Sequence, residues 1–240
     1  MPEPILYSEL RAGKARNGDG LFFQGGSWKA PLIRWWTNDC PHPFWRWLSL
    51  APWQHSEIVV WDAVVDAFPL TWGNREGGCC SRPDVLSDLV RLCSWGSVVG
   101  GPRKIPLYSL IQRYNQRGGK AFWAPLEKDP WNLGHERLDK GRGLRCPPPA
   151  HCNLDAFRQR IIERANSHWG YHYPKASKQW LRTACRNWFA GKVDADPQGD
   201  VCWEFHAFCL GLPDPAAWYA KEIQECGLHG EPREIILDGD

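Results

Sequence analysis

One cysteine of the chain stands where the start of a helix would activate it. In "GDVCWEFHAFCLGLP" (199–213), Cys202 follows Asp200, which can cap a helix, and apolar and aromatic residues then recur at helical spacing. Cys202 is then the second helical residue, where the helix dipole and unpaired N–H groups favour the nucleophilic thiolate and can stabilise an oxyanion. The pattern leaves two interpretations of Cys202, a nucleophile or a small inert core residue, whereas Cys209 on the same helix is predicted to be buried and unreactive.

A catalytic cysteine needs a base within hydrogen-bond reach, and the chain has eight histidines. His55 opens "HSEIVVWDAVVDAF", whose β-branched residues predict a hairpin of strands 55–60 and 63–68 around Trp61, Asp62 and Ala63. A strand aims a side chain rigidly, so His55 is a candidate for the base. His206, four residues after Cys202, is predicted to pack inward.

The elements that position these residues follow from hydrophobic periodicity. The sequence predicts a strand in "DGLFFQGG" and helices in "IPLYSLIQRYNQRGG", "NLDAFRQRIIERANSHWG" and "KQWLRTACRNWFAG". A chain of 240 residues can bury a full core, and we expect a single domain over 1–240. The stretch 127–152 is rich in Pro, Gly and charge, which predicts a loop insertion.

Composition limits the environment and the partners. The net charge is +2 and Lys and Arg form no stripe, so we expect no nucleic-acid partner. Nowhere do 18 apolar residues run together, and the first residues do not resemble a signal peptide, so we expect no stable membrane insertion and a cytoplasmic location. The ten cysteines are then predicted to be reduced thiols.

The main alternative to a thiol nucleophile is a metal site. "CPPPAHC" offers Cys146, His151 and Cys152, and the pair Cys79 and Cys80 could complete a set of ligands. However, the chain has no Cys-x-x-Cys pair, and adjacent cysteines chelate one tetrahedral ion poorly. We therefore predict no metal and no other cofactor, since a phosphate-binding loop and a dinucleotide fingerprint are also absent.

Four segments together resemble a known family. "GDGLFFQGG", "IRWWT", "QHSEIVV" and "VCWEFHAFCLGLP" follow the order and rough spacing of the circularly permuted NlpC/P60 (papain-like) cysteine peptidases and amidases, including phage-associated members. In that family a strand that starts with Ser-His precedes a helix that starts with Cys-Ser-Glu. The resemblance implies a papain-like α+β fold, in which a helix that bears the nucleophile packs against an antiparallel sheet.

The resemblance also implies roles for individual residues. Cys202 matches the family nucleophile and His55 the general base, whereas Trp203 stands where the family has a small Ser and Glu57 where many members have Gly. The third catalytic residue, which orients the imidazole, is either Asp66 or Glu57. Glu57 lies two residues after His55 and shares its strand face, while the position of Asp66 depends on the strand register.

The implied activity is hydrolysis of an amide bond through a Cys-His acyl-enzyme, with a peptide, peptidoglycan or acylated molecule as substrate. Two alternatives stay open, which are a lipid acyltransferase or esterase on the same fold and a catalytically inactive binding protein whose cleft is blocked by Trp203. Aromatic residues are expected to line the substrate groove, because they offer large, stiff contact areas. The candidates are Trp53, Trp169, Tyr171 and Trp203.

Overall fold

The fold is that of a computed structural model. It describes residues 2–26, 52–63, 90–98, 101–129, 154–168, 170–172 and 201–238. Asp66, Trp169, residues 64–68 of the predicted strand 63–68 and the predicted helix 178–191 lie outside these residues. The cysteines and the histidine of the alternative metal site, and all but the first three residues of the predicted insertion, also lie outside them.

Seven strands form one sheet in the order β1-β7-β6-β2-β3-β4-β5. Neighbouring strands are antiparallel, except that β1 and β7 are parallel. The strands are β1 Ile5–Leu6, β2 Gly20–Gln24, β3 His55–Ala63, β4 Val90–Val98, β5 Gly101–Pro106, β6 Lys120–Ala124 and β7 Arg233–Ile236.

The helices complete a mixed α+β architecture. They are α1 Tyr7–Glu9, which continues into a π turn at Leu10–Lys14, then α2 Leu107–Asn115, α3 Leu154–Ser167, α4 Cys202–Cys209 and α5 Ala220–Glu225, with a 3-10 turn at Pro215–Ala217. The predicted strand β2 and helices α2 and α3 are thereby confirmed. In the described part of the chain, no helix combines the length and apolarity that a membrane crossing requires.

The side chains of β2 alternate between two hydrophobic clusters. Phe22 belongs to the cluster that includes Phe157 of α3 and Phe205 of α4, whereas Leu21 and Phe23 belong to the cluster that includes buried residues of α2. Successive side chains of a strand point to opposite faces, so helices cover both faces of the sheet. Burial of each Phe side chain contributes about 2 kcal/mol, and the sheet is fixed between the two clusters.

The predicted turn at 61–63 is wrong. Strand β3 continues through Ala63 and pairs with β4 from Ile58, opposite Trp95, to Ala63, opposite Val90. Two-residue hairpin turns favour Gly, Asn or Asp with positive φ, and Trp-Asp-Ala supplies no glycine. The backbone N–H of Trp61 instead donates to the side chain of Asn17 at 2.7 Å. The β-branched residues before and after Trp61 are therefore typical of one long strand, and the structure has β3 continue through Ala63.

A buried ion pair fixes the start of β2. Arg158 of α3 donates from Nη1 to Asp19 Oδ1 at 2.7 Å and from Nη2 to the carbonyl oxygen of Leu126 at 2.9 Å. The Asp19 carboxylate also accepts hydrogen bonds from Trp123 Nε1 at 2.9 Å and from the Leu126 N–H at 3.0 Å. A buried charge is costly unless it is paired and hydrogen-bonded. Here the network joins β2 to α3, and β2 in turn pairs with β3.

Candidate active site

Helix α4 begins with the cysteine that the sequence singles out. Val201 is extended (φ −83°, ψ 163°) and Cys202 is the first helical residue, so the expected cap at Asp200 and the second helical position for Cys202 are wrong by one residue. The Val201 N–H donates to Glu204 Oε2 at 3.3 Å, which ties the first turn together. The Cys202 side chain thus lies beside the N–H groups that a helix start leaves without intrahelical acceptors. Cys202 is 2% exposed, and Cys209 is fully buried as predicted.

His55 and Glu57 form a hydrogen-bonded pair on β3. The Nε2 atom of His55 lies 2.5 Å from Oε1 of Glu57. The two residues are separated by one position in a strand, so their side chains share a face, as the sequence predicts. The Glu57 side chain is 1% exposed and that of His55 is 14% exposed. The pair is therefore shielded from water on the carboxylate side.

The thiol of Cys202 completes this group. Burial by itself lowers the pKa of His55, but electrostatic interactions with Cys202, Tyr114 and Glu57 raise it, as does a side-chain hydrogen bond between His55 and Cys202. The net result is a His55 pKa well above its ordinary value. The structure thus brings together the predicted nucleophile, the predicted base and one of the two candidates for the third residue.

Two aromatic residues, Phe23 of β2 and Tyr114 of α2, lie near the His55 ring. The ring of Phe23 lies 5.4 Å from the His55 ring and stacks on Tyr114 at 4.7 Å. Burial raises the pKa of Tyr114 above its ordinary value of 10.0, although the nearby His55 acts in the opposite direction. Tyr114 is therefore a neutral phenol at physiological pH. The sequence analysis did not identify it, because nothing near position 114 indicates a contact with β3.

Ser94 of β4 is a second residue that the sequence analysis missed. Its hydroxyl donates to Glu57 Oε2, and both residues are fully buried. Val59 pairs with Ser94 across the two strands, which places Ser94 on the strand face that also carries Glu57. The only sequence signal is a polar residue inside the apolar run "LCSW", and its partner lies 37 positions away.

Two further histidines lie buried near the candidate site. His206 is one turn after Cys202 on α4, and its ring lies 5.4 Å from that of His229. Neither ring nitrogen of His206 has a hydrogen-bond partner among the residues that the structure describes. Burial, together with the neighbouring His229 and His55, holds the pKa of His206 well below its ordinary value. As predicted, His206 packs inward.

The predicted groove residues occupy different surroundings. Trp53 is buried in the core, where its ring lies 4.7 Å from Phe122. Trp203 is half-buried and meets Tyr219 edge to face at 5.7 Å. Tyr171 stacks on His168 at 4.0 Å. A role for Trp53, Trp203 and Tyr171 in substrate binding stays a prediction.

Within the described ranges, no group of three or more His, Cys, Asp or Glu side chains is arranged to hold a metal ion. A scan against protein-family models found no match for the chain, and a search of curated proteins found none either. The NlpC/P60 resemblance therefore rests on the motifs quoted above and stays a prediction.

Proposed function

We propose that the chain is a cysteine hydrolase that cleaves an amide bond through a Cys202 acyl-enzyme. One observation carries the proposal: the thiol at the first residue of α4 lies close enough to His55 to raise its pKa, and the His55 ring is hydrogen-bonded to a buried carboxylate. A nucleophile, a base and a group that orients the base are the parts that such chemistry needs.

The charge state of the group supports nucleophilic attack. The charges of Cys202 and Glu57 raise the pKa of His55, which makes its imidazole a better acceptor for the thiol proton. Transfer of the thiol proton to the imidazole gives a thiolate and imidazolium pair, which is the reactive form. Because Nε2 of His55 is hydrogen-bonded to Glu57, Nδ1 is the ring nitrogen left to accept the thiol proton.

The reaction then follows from these positions. Cys202 Sγ bonds to the carbonyl carbon, and the electron pair that moves onto the oxygen is stabilised by N–H groups at the start of α4. The C–N bond breaks as His55 gives its proton to the leaving amine, and a thioester remains. His55 next takes a proton from water, which attacks the thioester, and release of the carboxylic acid restores the thiolate and imidazolium.

Glu57 is the favoured third residue. It contacts the imidazole directly, and its negative charge is one of the causes of the raised His55 pKa. This carboxylate orients the ring through Nε2 and stabilises its charged form. The competing candidate, Asp66, lies outside the described residues.

The resemblance to the permuted NlpC/P60 family supports a peptide or peptidoglycan amide as substrate, with lipid acyl transfer or ester hydrolysis as the alternative chemistry. A second class of function is favoured by the low exposure of Cys202, at 2%. A protein with a covered thiol can be a binding protein that has kept the fold of a hydrolase.

Labelling with iodoacetamide separates these functions. We expect Cys202 to react faster than the other cysteines at about pH 7, and the fast reaction to be lost in Cys202→Ala and weakened in His55→Ala. Cys209→Ala is the matched control, because this residue lies on the same helix and is fully buried. Peptide mass mapping after short exposures gives the rate at each site.

A substrate panel completes the test. A peptide amide, a peptidoglycan fragment and an acyl ester are each incubated with the protein, and mass spectrometry follows the product and the acyl group on Cys202. Amide cleavage that depends on Cys202 supports the proposal, whereas turnover of the ester alone favours the acyltransferase or esterase alternative. Equal labelling of Cys202 and Cys209, with no turnover, would leave the binding protein as the better description.

A further inference from the structure

We infer that Ser94 is a positioning residue of this site, which holds the Glu57 carboxylate so that one oxygen faces His55. The inference deepens the proposed function and rests on it. Three features of the structure carry it: the two hydrogen bonds of Glu57, the space that Gly96 leaves for this side chain, and the burial of the whole group.

The two oxygens of Glu57 have separate partners. Oε1 lies 2.5 Å from the His55 ring nitrogen, and Oε2 accepts the hydrogen bond of the Ser94 hydroxyl. A carboxylate can rotate about its last torsion, which has broad energy wells, so a single partner leaves its orientation loosely defined. The second bond, from a strand adjacent to β3, fixes the plane of the group.

Gly96 provides the space in which Glu57 lies. A Cβ atom at this position would be 2.7 Å from Glu57 Oε1 and closer still to Cγ and Cδ of the same side chain. Any other residue would therefore push the carboxylate away from β4. Ser94 and Gly96 together position Glu57. Ser94 supplies a hydrogen-bond donor, and Gly96 leaves space for the Glu57 side chain.

Because the group is buried, the orientation of Glu57 depends on the Ser94 hydroxyl. Glu57 and Ser94 are both fully buried, so water cannot replace the bond when the hydroxyl is removed. A hydrogen bond to a charged group is roughly twice as strong as one between neutral groups. Loss of the bond would let the carboxylate turn from His55 and weaken the stabilisation of the imidazolium.

The test is the pH dependence of iodoacetamide labelling at Cys202 in the full chain. The charged groups that face His55 are Cys202 and Glu57, while Tyr114 is neutral below its raised pKa. In Ser94→Ala the ion pair becomes less favourable, so labelling near pH 7 should fall by up to roughly ten-fold. Above about pH 10 the rates should converge, because every accessible thiol is then ionised. A structural defect would change the rate at all pH values, including those above pH 10.

Ser56→Ala is the matched control. Ser56 lies between His55 and Glu57 on β3, is also fully buried, and has no hydrogen-bond partner for its hydroxyl in the described part of the chain. Its removal should leave the labelling profile unchanged. If Ser94→Ala does not fold, Ser94→Thr and Ser94→Val decide the question, since they have similar size and only Thr keeps the hydroxyl. The Thr variant should retain the wild-type profile and the Val variant should show the loss near pH 7.

The outcomes separate the two proposals. An unchanged profile in Ser94→Ala, or equal profiles in the Thr and Val variants, overturns the role of Ser94 while fast labelling of Cys202 still supports the hydrolase. If wild-type Cys202 is not labelled faster than Cys209, the proposed function fails first, and the role of Ser94 fails with it.

Discussion

Buried histidines near helix α4 have pKa values that are shifted in opposite directions, upward for His55 and downward for His206 and His229. His55 is surrounded by groups of negative charge, and its pKa is raised well above the ordinary value. Burial lowers the pKa of His206, with His229 and His55 as further causes, and burial lowers the pKa of His229 to about 4 even though Asp19 acts in the opposite direction. The comparison shows that burial by itself lowers the pKa of a histidine. The pKa of a buried imidazole rises only where nearby negative groups outweigh the effect of burial, as Cys202 and Glu57 do at His55 and Asp19 does not at His229.

The difference has opposite consequences for stability. A histidine with a raised pKa stabilises the fold below its unfolded pKa of about 6.5, and this contribution is lost as the pH rises through the folded value. A histidine with a lowered pKa binds its proton more readily in the unfolded chain. Stability is then lost as the pH falls below about 6.5. His55 and the His206 and His229 pair therefore respond to pH in opposite directions.

The largest expected effect is acid destabilisation through His229. With a folded pKa of about 4 and an ordinary value of 6.5, this residue should remove about 3 kcal/mol of unfolding free energy between pH 6.5 and pH 4. His229→Phe should abolish that part of the pH dependence, because an aromatic ring is kept and the titrating group is removed. Urea unfolding of both proteins across this pH range measures the difference. Parallel curves would show that His229 does not titrate as inferred.

The next largest effect concerns His55, the histidine whose pKa is raised. An isolated thiol with a pKa of about 8.5 is only about 3% ionised at pH 7, so loss of the paired base in His55→Gln should lower the labelling rate of Cys202 at that pH by up to roughly 30-fold. The two rates should converge in alkali. Rate constants from quenched alkylation reactions give this ratio. A ratio near one at pH 7 would mean that His55 does not activate the thiol.

A smaller effect is expected when the unpaired ring of His206 is removed. A buried polar group without a hydrogen bond costs about 1 to 3 kcal/mol, so His206→Leu should raise the unfolding free energy by about 1 kcal/mol or more. The gain in unfolding free energy should be larger at pH 5 than at pH 8. Near pH 5 the histidine of the unfolded wild-type chain is protonated, which favours unfolding, and the Leu variant has no such group. Urea unfolding at both pH values tests this, and Cys202 labelling should stay unchanged. A loss of stability would indicate that the His206 ring has a packing or bonding role that outweighs its unpaired nitrogens.

The smallest effect concerns Tyr114. Its pKa is raised by burial, so the phenol carries no charge where the thiolate and imidazolium pair exists. Tyr114→Phe should therefore change Cys202 labelling by less than about two-fold between pH 6 and pH 8. Phe keeps the stacking on Phe23, which makes the substitution a test of the hydroxyl alone. A fall as large as that of His55→Gln would assign the hydroxyl a direct role at the thiol.

Local patterns predicted much of the fold. The strand β2, the first part of β3 and the helices α2, α3 and α4 follow from periodicities of two and about 3.6 residues, which depend only on neighbouring residues. The turn at 61–63 was predicted wrongly because β-branched residues on both sides of Trp61 suit one long strand as well as two short ones. Which of the two forms is decided by β4, since its pairing with β3 extends to Ala63.

The site was predicted only where a local rule applied. The shared face of His55 and Glu57 follows from strand alternation, and the position of Cys202 follows from the helix start to within one residue. The pairing of Cys202 with His55 came from family resemblance, because no local rule joins residues so far apart. Ser94 and Tyr114 were missed for the same reason, since their contacts depend on tertiary packing.

Gly96 has a consequence for how this site can vary between related proteins. Since its missing side chain is the volume that Glu57 fills, positions 57 and 96 share one space between two strands. An Ala at position 96 would be compatible with a shorter acid at position 57, and a Glu at position 57 requires a Gly at position 96. The two positions should therefore co-vary in size, and an exchange at one of them alone should be rare among active relatives.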